Sequence, residues 1–145
     1  MTSNKSSDPS PAYGKSDATF LAVGGEAGVW QLVNDFYDII GTSDATQALK
    51  QMHADDLTES RDKLARFLCG WMGGPKRYRE RYGPINILHS HQHLPISQAH
   101  HDQWLLAMQQ AIAKQGFPES LARYLMQQLT MPANRILAQH SQAQQ

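Results

Sequence analysis

The chain has 145 residues, a length that fits a single domain with its own core. Its 13 basic residues balance its 13 acidic ones, so its charge indicates no nucleic-acid partner and no anionic membrane surface. The single cysteine, Cys69, excludes an internal disulfide and a thiolate zinc cage, and no apolar run approaches the roughly 20 residues of a membrane span. Because no signal-peptide pattern opens the chain, we expect a cytoplasmic protein.

Three segments are predicted from composition. Residues 1–15 are rich in Ser, Pro and Lys and are expected to form a flexible tail, residues 16–140 form the domain, and residues 141–145 form a second tail. The domain is predicted to begin with a short helix that Asp17 can cap and that the glycine pair at 24–25 ends.

The strongest helical pattern covers residues 26–40. Its apolar residues repeat at three- and four-residue spacing along two overlapping stripes, so this helix is predicted to be buried between neighbours. A short segment follows at 45–52. A further helix is expected to start near Asp55 or Asp56 and to stop at the glycine pair 73–74.

Prolines and one serine mark predicted helix boundaries in the second half of the chain. Pro75 can begin a new turn, and Ser97 can cap a helix over residues 98–114. Pro118 is predicted to open a final helix that Pro132 kinks or splits. Since no segment shows the alternation of a strand, we predict an all-α fold of about six or seven helical pieces.

Five of the seven histidines fall in residues 89–101, HSHQHLPISQAHH. His89, His91 and His93 are each two residues apart, and on a helix such neighbours point about 200° apart, so the three do not easily converge on one ion. Apart from Asp102, no carboxylate or thiolate lies nearby to complete a tetrahedral site. A dedicated zinc or copper site is therefore disfavoured.

A single histidine of this run would suffice as the axial ligand of a haem. Such an imidazole is carried on a helix beside an apolar pocket, and the predicted helices supply apolar walls. The same residues fit an ordinary helical core equally well. Periodicity alone leaves both interpretations open.

Residues 60–83, SRDKLARFLCGWMGGPKRYRERYG, carry a more specific pattern. It is close to KLxxFLxGWxGGPxxYxxxYG, and the downstream SHQHLPIS and DQW correspond to RHxPFxI and DxW. In these motifs the sequence resembles the group II truncated haemoglobins, also called 2/2 globins. The resemblance covers about residues 17–130 and includes Phe36-Tyr37 and HADDL at 53–57.

The resemblance implies a truncated globin, a two-over-two helical sandwich around one haem b. It places the proximal iron ligand on His91 and two distal hydrogen-bond donors on Tyr37 and Trp104. His53 stands where the family usually has Tyr or Phe. Its role stays open between distal donor, iron ligand and a solvent-facing side chain.

A haem-facing pocket and a propionate-binding rim also follow from the resemblance. The pocket residues are Phe36, Ser60, Leu64, Phe67, Leu68, Tyr78, Ile87 and Ile96. Ser90 replaces the arginine that commonly precedes the proximal histidine, so the propionate candidates are Lys76, Arg77 and Arg79, together with Tyr78. The other histidines of the run are expected to face solvent, namely His89, His93, His100 and His101.

The implied function is binding of O₂, NO, CO or other small haem ligands. Several donors aimed at the ligand favour redox chemistry, such as NO dioxygenase-like or peroxidase-like activity with an unidentified reductase, over oxygen transport. The alternative is a haem-based redox or ligand sensor, or an interaction protein, with a six-coordinate ferric state. The resemblance does not decide whether the protein is an enzyme.

Overall fold

Seven α-helices make up most of the part of the chain that this computed structural model describes, residues 12–86, 91 and 94–143. They are α1 (Ala18–Ala22), α2 (Gly25–Thr42), α3 (Gln47–Gln51), α4 (Thr58–Trp71), α5 (Arg77–Tyr82), α6 (Gln98–Gln115) and α7 (Glu119–Ala143). A 3-10 turn at Asp44–Thr46 precedes α3. Those ranges contain no strand, and the all-α prediction is confirmed.

Helix α6 shows how local sequence sets the helix ends. The Oγ of Ser97 accepts from the backbone N–H of His100 at 3.4 Å, and Nδ1 of His100 accepts from the N–H of Ser97 at 3.0 Å. This reciprocal cap confirms the predicted start of the helix. Gly116 ends it with a φ of 72°, a left-handed conformation that glycine adopts without strain. Asp17 precedes α1 as predicted, but its side chain makes no capping hydrogen bond.

Helix α2 is the centre of the hydrophobic core. It packs against both α4 and α6, and α6 packs in turn against α7. Its buried residues come from both predicted stripes: Val29, Leu32, Val33, Phe36, Tyr37 and Ile40. The predicted burial of this helix is confirmed. No helix in the described ranges combines the length and the hydropathy of a bilayer-spanning segment.

Pro132 was predicted to kink or split this helix, and the split does not occur, because Pro132 lies inside α7, which continues to Ala143. A proline lacks the N–H that would bond four residues back, and it costs a helix about 3 kcal/mol. The turns before it bury Leu121, Leu125 and Leu129 in the core. Since each such leucine contributes roughly 2 kcal/mol by its burial, the packed face offsets the cost of the proline.

The glycine pair after α4 receives the N-terminal segment. Gly73 has a φ of 95°, and a Cβ there would collide with the carbonyl of Ser16. A Cβ on Gly74 would lie 2.5 Å from the ring of Phe20. The N–H of Phe20 donates to the carbonyl of Met72 at 3.0 Å. The two glycines are therefore needed both for the turn and for the docking of α1.

Replacing Gly73 tests this docking. We expect Gly73→Ala to lower the free energy of unfolding by about 1–3 kcal/mol, because it strains the backbone and displaces Ser16. Gly41→Ala is the matched control, since a Cβ there meets nothing within 4 Å and alanine favours a helix by up to about 1 kcal/mol. Equal denaturation midpoints for both variants in urea would contradict this account.

Candidate functional site

Four aromatic and imidazole rings meet beside the middle of α2. The ring of Phe36 lies 5.0 Å from that of Tyr37 and 5.2 Å from that of Trp104, in edge-on geometry at 75° and 64°. The ring of His53 lies 5.7 Å from that of Tyr37 at 78°. The structure thus brings together Tyr37, Trp104 and His53, which the resemblance assigned to one site, with Phe36 between the tyrosine and the tryptophan.

Tyr37 is the polar group at the centre of this cluster. Only 6% of the residue is exposed, and burial raises the pKa of its phenol well above the ordinary value, although the charge of Arg61 lowers it in part. A neutral phenol offers one O–H donor. The indole of Trp104 offers one N–H donor and no acceptor. The two side chains therefore present two donors near one wall of the core.

The hydrogen bond that His53 makes determines its tautomer. Its Nδ1 lies 2.9 Å from the carbonyl of Leu49, and because a carbonyl only accepts, Nδ1 carries the proton. In the neutral ring Nε2 then has a lone pair and acts as an acceptor or a metal ligand. The N–H of Leu49 donates to Oε1 of Gln103 at 3.0 Å, which ties α3 to α6.

The predicted pocket residues differ in burial. Phe36 and Leu68 are fully buried, whereas the other described members of the set are partly buried: Ser60, Leu64, Phe67, Tyr78 and Ile96. Ile87 lies outside the described residues. Leu64 and Phe67 of α4 pack against the core, as do Trp71 and Trp104.

A cleft of about 280 Å³ opens between α4 and the segment that follows it. Its lining combines apolar or aromatic groups with three cations: Arg66, Phe67, Gly70, Trp71, Lys76, Tyr78, Arg79 and Ile85. Three of the predicted propionate-binding residues, Lys76, Tyr78 and Arg79, meet here. The third cation, Arg66, was not among the predicted residues.

Arg66 is held in place from its own helix. Its Nε donates to both carboxylate oxygens of Asp62, at 2.9 and 3.0 Å, and Asp62 also accepts from the hydroxyl of Tyr82 at 2.5 Å. These contacts keep the pKa of the Asp62 carboxyl below its usual value despite some burial. The spacing of four residues between Asp62 and Arg66 is the signal in the sequence that could have identified this pair.

Arg77 is placed elsewhere. Its guanidinium pairs with Glu26 at 3.3 Å and with Glu80 at 3.2 Å, so it links α5 to the start of α2. Its Nε is buried and has no hydrogen-bond partner within the described structure. The structure therefore does not bring Arg77 to the cleft that Lys76 and Arg79 line.

The histidine run divides into separate environments. His91 is partly buried, and its carbonyl accepts from the N–H of Leu94 at 3.1 Å. His89 and His93 lie outside the described residues. In the part of the chain that the structure describes, no three His, Cys, Asp or Glu residues gather in a way that could hold a metal ion.

The expectation that His101 faces solvent is wrong, whereas His100 is partly exposed at the start of α6. His100 closes the cap of α6, and the His101 side chain is only 11% exposed. Its Nδ1 lies 2.8 Å from Asp102 Oδ1, and its Nε2 lies 2.7 Å from Asn134 Oδ1 on α7. His100 thus completes the helix cap, and His101 links α6 to α7 through Asn134.

The amino-acid sequence matches the bacterial-like globin family over residues 18–138. It is 30% identical over 123 residues to group 2 truncated hemoglobin YjbI of Bacillus subtilis (strain 168), a match that covers 85% of this chain and 90% of that protein. The family match therefore spans all seven helices except the last residues of α7.

Solved structures give the same assignment. The cold-adapted truncated hemoglobin of the Antarctic marine bacterium Pseudoalteromonas haloplanktis TAC125 is similar with a TM-score of 0.80 and 29% identity, over 82% of this chain and 96% of that one. The group II 2-on-2 hemoglobin of the plant pathogen Agrobacterium tumefaciens is similar with a TM-score of 0.79 and 26% identity, over 94% and 97%. The predicted two-over-two arrangement is confirmed, and the chain belongs to the bacterial-like globin family, with the fold of the group II truncated haemoglobins.

Proposed function

We propose that this globin binds one haem b through His91 and holds O₂, NO or CO beneath Tyr37 and Trp104, for redox chemistry or detoxification rather than oxygen transport. The observation that carries the proposal is the ring cluster, in which Phe36 lies within 5.2 Å of both donor side chains. The haem, when bound, supplies the ligand-binding and electron-transfer chemistry.

The donor chemistry of the chain fits such a group. A haem needs aromatic and aliphatic walls, one axial imidazole and cations for its two carboxylates. Phe67 and Trp71 supply walls in the cleft, and Lys76, Arg79 and Arg66 supply its cations. We therefore assign the propionate contacts to Lys76, Arg79 and Arg66, with Tyr78 as a hydroxyl donor, and leave Arg77 to its pairing with Glu26 and Glu80.

Two donors favour retention of a polar diatomic ligand over its rapid release. Each hydrogen bond to the ligand adds roughly 1 kcal/mol to its binding, and the burial of Tyr37 keeps water from competing for its hydroxyl. Slow release suits NO oxidation, in which NO, O₂ and one electron give nitrate, or peroxide removal. Both need an electron donor, which we assign to a reductase partner.

Loss of the axial ligand tests haem binding itself. The purified holoprotein should show an intense absorption band at roughly 400 nm, as expected for a histidine-ligated haem. His91→Ala should lose most of this band and regain it with added imidazole, whereas the control His93→Ala should keep it. Retention of the full band in His91→Ala without imidazole would overturn the assignment of the ligand.

Removal of a distal donor tests the proposed site. Tyr37→Phe and Trp104→Phe should each speed O₂ dissociation from the ferrous protein roughly fivefold, because each loses about one hydrogen bond. Stopped-flow measurement gives the rates. Tyr124→Phe and Trp30→Phe are matched controls, since the Tyr124 ring packs on Tyr13 and, among the described residues, neither ring pairs with a ring of the cluster. Unchanged rates in both distal variants would refute the distal assignment.

A second candidate function is a sensor with a six-coordinate ferric state. The contact that favours it is the 2.9 Å bond from His53 Nδ1 to the Leu49 carbonyl, which leaves Nε2 with the lone pair that iron coordination requires. Coordination by His53 would compete with external ligands and would respond to the redox state. In the alternative role, the same lone pair accepts a hydrogen bond from the hydroxyl of Tyr37.

Spectra of the ferric protein separate these roles of His53. If His53 is an iron ligand, the ferric wild type should be low-spin at neutral pH, and His53→Ala should convert it to a high-spin form. Trp104→Phe serves as a control that alters the same pocket without removing an imidazole. A high-spin ferric wild type, or a low-spin spectrum that persists in His53→Ala, would exclude the ligand role.

A further inference from the structure

Arg61 of α4 reaches across to α2 and contacts it on both sides of Tyr37. Its Nη1 donates to the carbonyl and to Oδ1 of Asn34, both at 3.1 Å. Its Nη2 donates to Oδ1 of Asp38 at 2.9 Å. Asn34 precedes Tyr37 by three residues and Asp38 follows it by one. The guanidinium therefore binds α2 at residues on either side of Tyr37 in the sequence.

The same guanidinium lies over the Tyr37 ring. Its Cζ is 5.8 Å from the ring centroid, within the distance at which a cation is attracted to an aromatic face. Phe36 and His53 meet the ring in edge-on geometry, at 5.0 and 5.7 Å. Arg61 is itself only 26% exposed, so water screens this contact less than it would at a free surface.

We propose that Arg61 is a positioning residue for Tyr37, which holds the phenol ring in place and strengthens its hydroxyl as a hydrogen-bond donor. The inference rests on the proposed function, in which that hydroxyl faces a bound ligand. A fixed positive charge beside a phenol favours withdrawal of electron density from its O–H, and a more acidic O–H donates a stronger hydrogen bond.

The electrostatics of the pair agree with this geometry. Burial raises the pKa of Tyr37, and the charge of Arg61 is the opposing influence. Asp38 pairs with Arg61 but is 61% exposed, so it neutralises the guanidinium only weakly. Loss of Arg61 would remove this opposing charge and leave the hydroxyl less acidic.

Lysine cannot reproduce this arrangement. The planar guanidinium bonds to three acceptor atoms on Asn34 and Asp38 while its Cζ lies over the Tyr37 ring, whereas an ammonium group is a compact charge without this fork of donors. Arg61→Lys keeps the charge and should therefore restore only part of the function. Arg61→Met removes the charge but keeps much of the apolar stem.

The test uses the ferrous holoprotein with CO. The CO stretching band in the infrared reports hydrogen bonds and charge near the ligand, and the ¹³Cζ chemical shift of Tyr37 at neutral pH reports the phenol directly. Arg61→Met should move the CO band in the same direction as Tyr37→Phe but by less, shift the Tyr37 ¹³Cζ signal, and speed O₂ dissociation roughly two- to fivefold. Arg61→Lys should fall between Arg61→Met and the wild type.

Two controls keep the result specific. Arg123→Met removes an exposed arginine paired with Glu119 on α7 and should change none of these signals. In the Tyr37→Phe background, Arg61→Met should have no further effect on the CO band or the O₂ rate. An equal effect with and without the Tyr37 hydroxyl, or no effect in Arg61→Met, would overturn the role of Arg61.

Different results would contradict the distal assignment of Tyr37 and the positioning role of Arg61. If Tyr37→Phe leaves the CO band and the O₂ rate unchanged, the distal assignment of Tyr37 is wrong, and the ¹³Cζ signal still decides whether Arg61 acts on the phenol. If Tyr37→Phe has its expected effect and Arg61→Met shifts neither the CO band nor the ¹³Cζ signal, only the positioning role fails. Thermal melting of each variant identifies a loss of folding.

Discussion

Burial of helix α2 against α4 and α6 is the constraint on which the rest of this globin depends. Phe36 and Ile40 are fully enclosed, and a large apolar side chain contributes roughly 1.5–3 kcal/mol when it leaves water. Because the apolar stripes of α2 cover more than one face, the helix needs neighbours on more than one side. The two-over-two arrangement supplies them, and it brings Trp104 of α6 to the same wall as Tyr37.

The polar side chains of His53 and Arg61 lie against this packed core, and both have hydrogen-bond partners. A buried hydroxyl or imidazole without a partner would cost the fold about 1–3 kcal/mol. His53 meets this demand through the Leu49 carbonyl, and Arg61 meets it through three acceptors on α2. The bonds that satisfy these groups also fix their orientation. Stability and the proposed distal chemistry thus rest on the same contacts.

The cationic residues that follow α4 have different contacts. Arg77 is bound to Glu26 and Glu80 and holds α5 against the start of α2. Lys76 and Arg79 line the cleft and are the proposed partners of the haem carboxylates. Sequence neighbours therefore differ in role because a helical turn points them in different directions, about 100° per residue.

The sequence by itself determined the central helix α2, the start of α6 and the family. Periodicity placed α2 and its buried faces, Ser97 marked the start of α6, and the glycine-proline block carried the resemblance that the family match confirmed. It did not determine that α7 continues past Pro132, because a local rule cannot weigh one lost hydrogen bond against a packed face. Only the tertiary structure decided that His53 and Arg61 both meet the ring of Tyr37, which lies 16 and 24 residues before them in the chain. Both contacts depend on which distant segments meet in the folded core, and residue spacing along the chain does not indicate which segments meet.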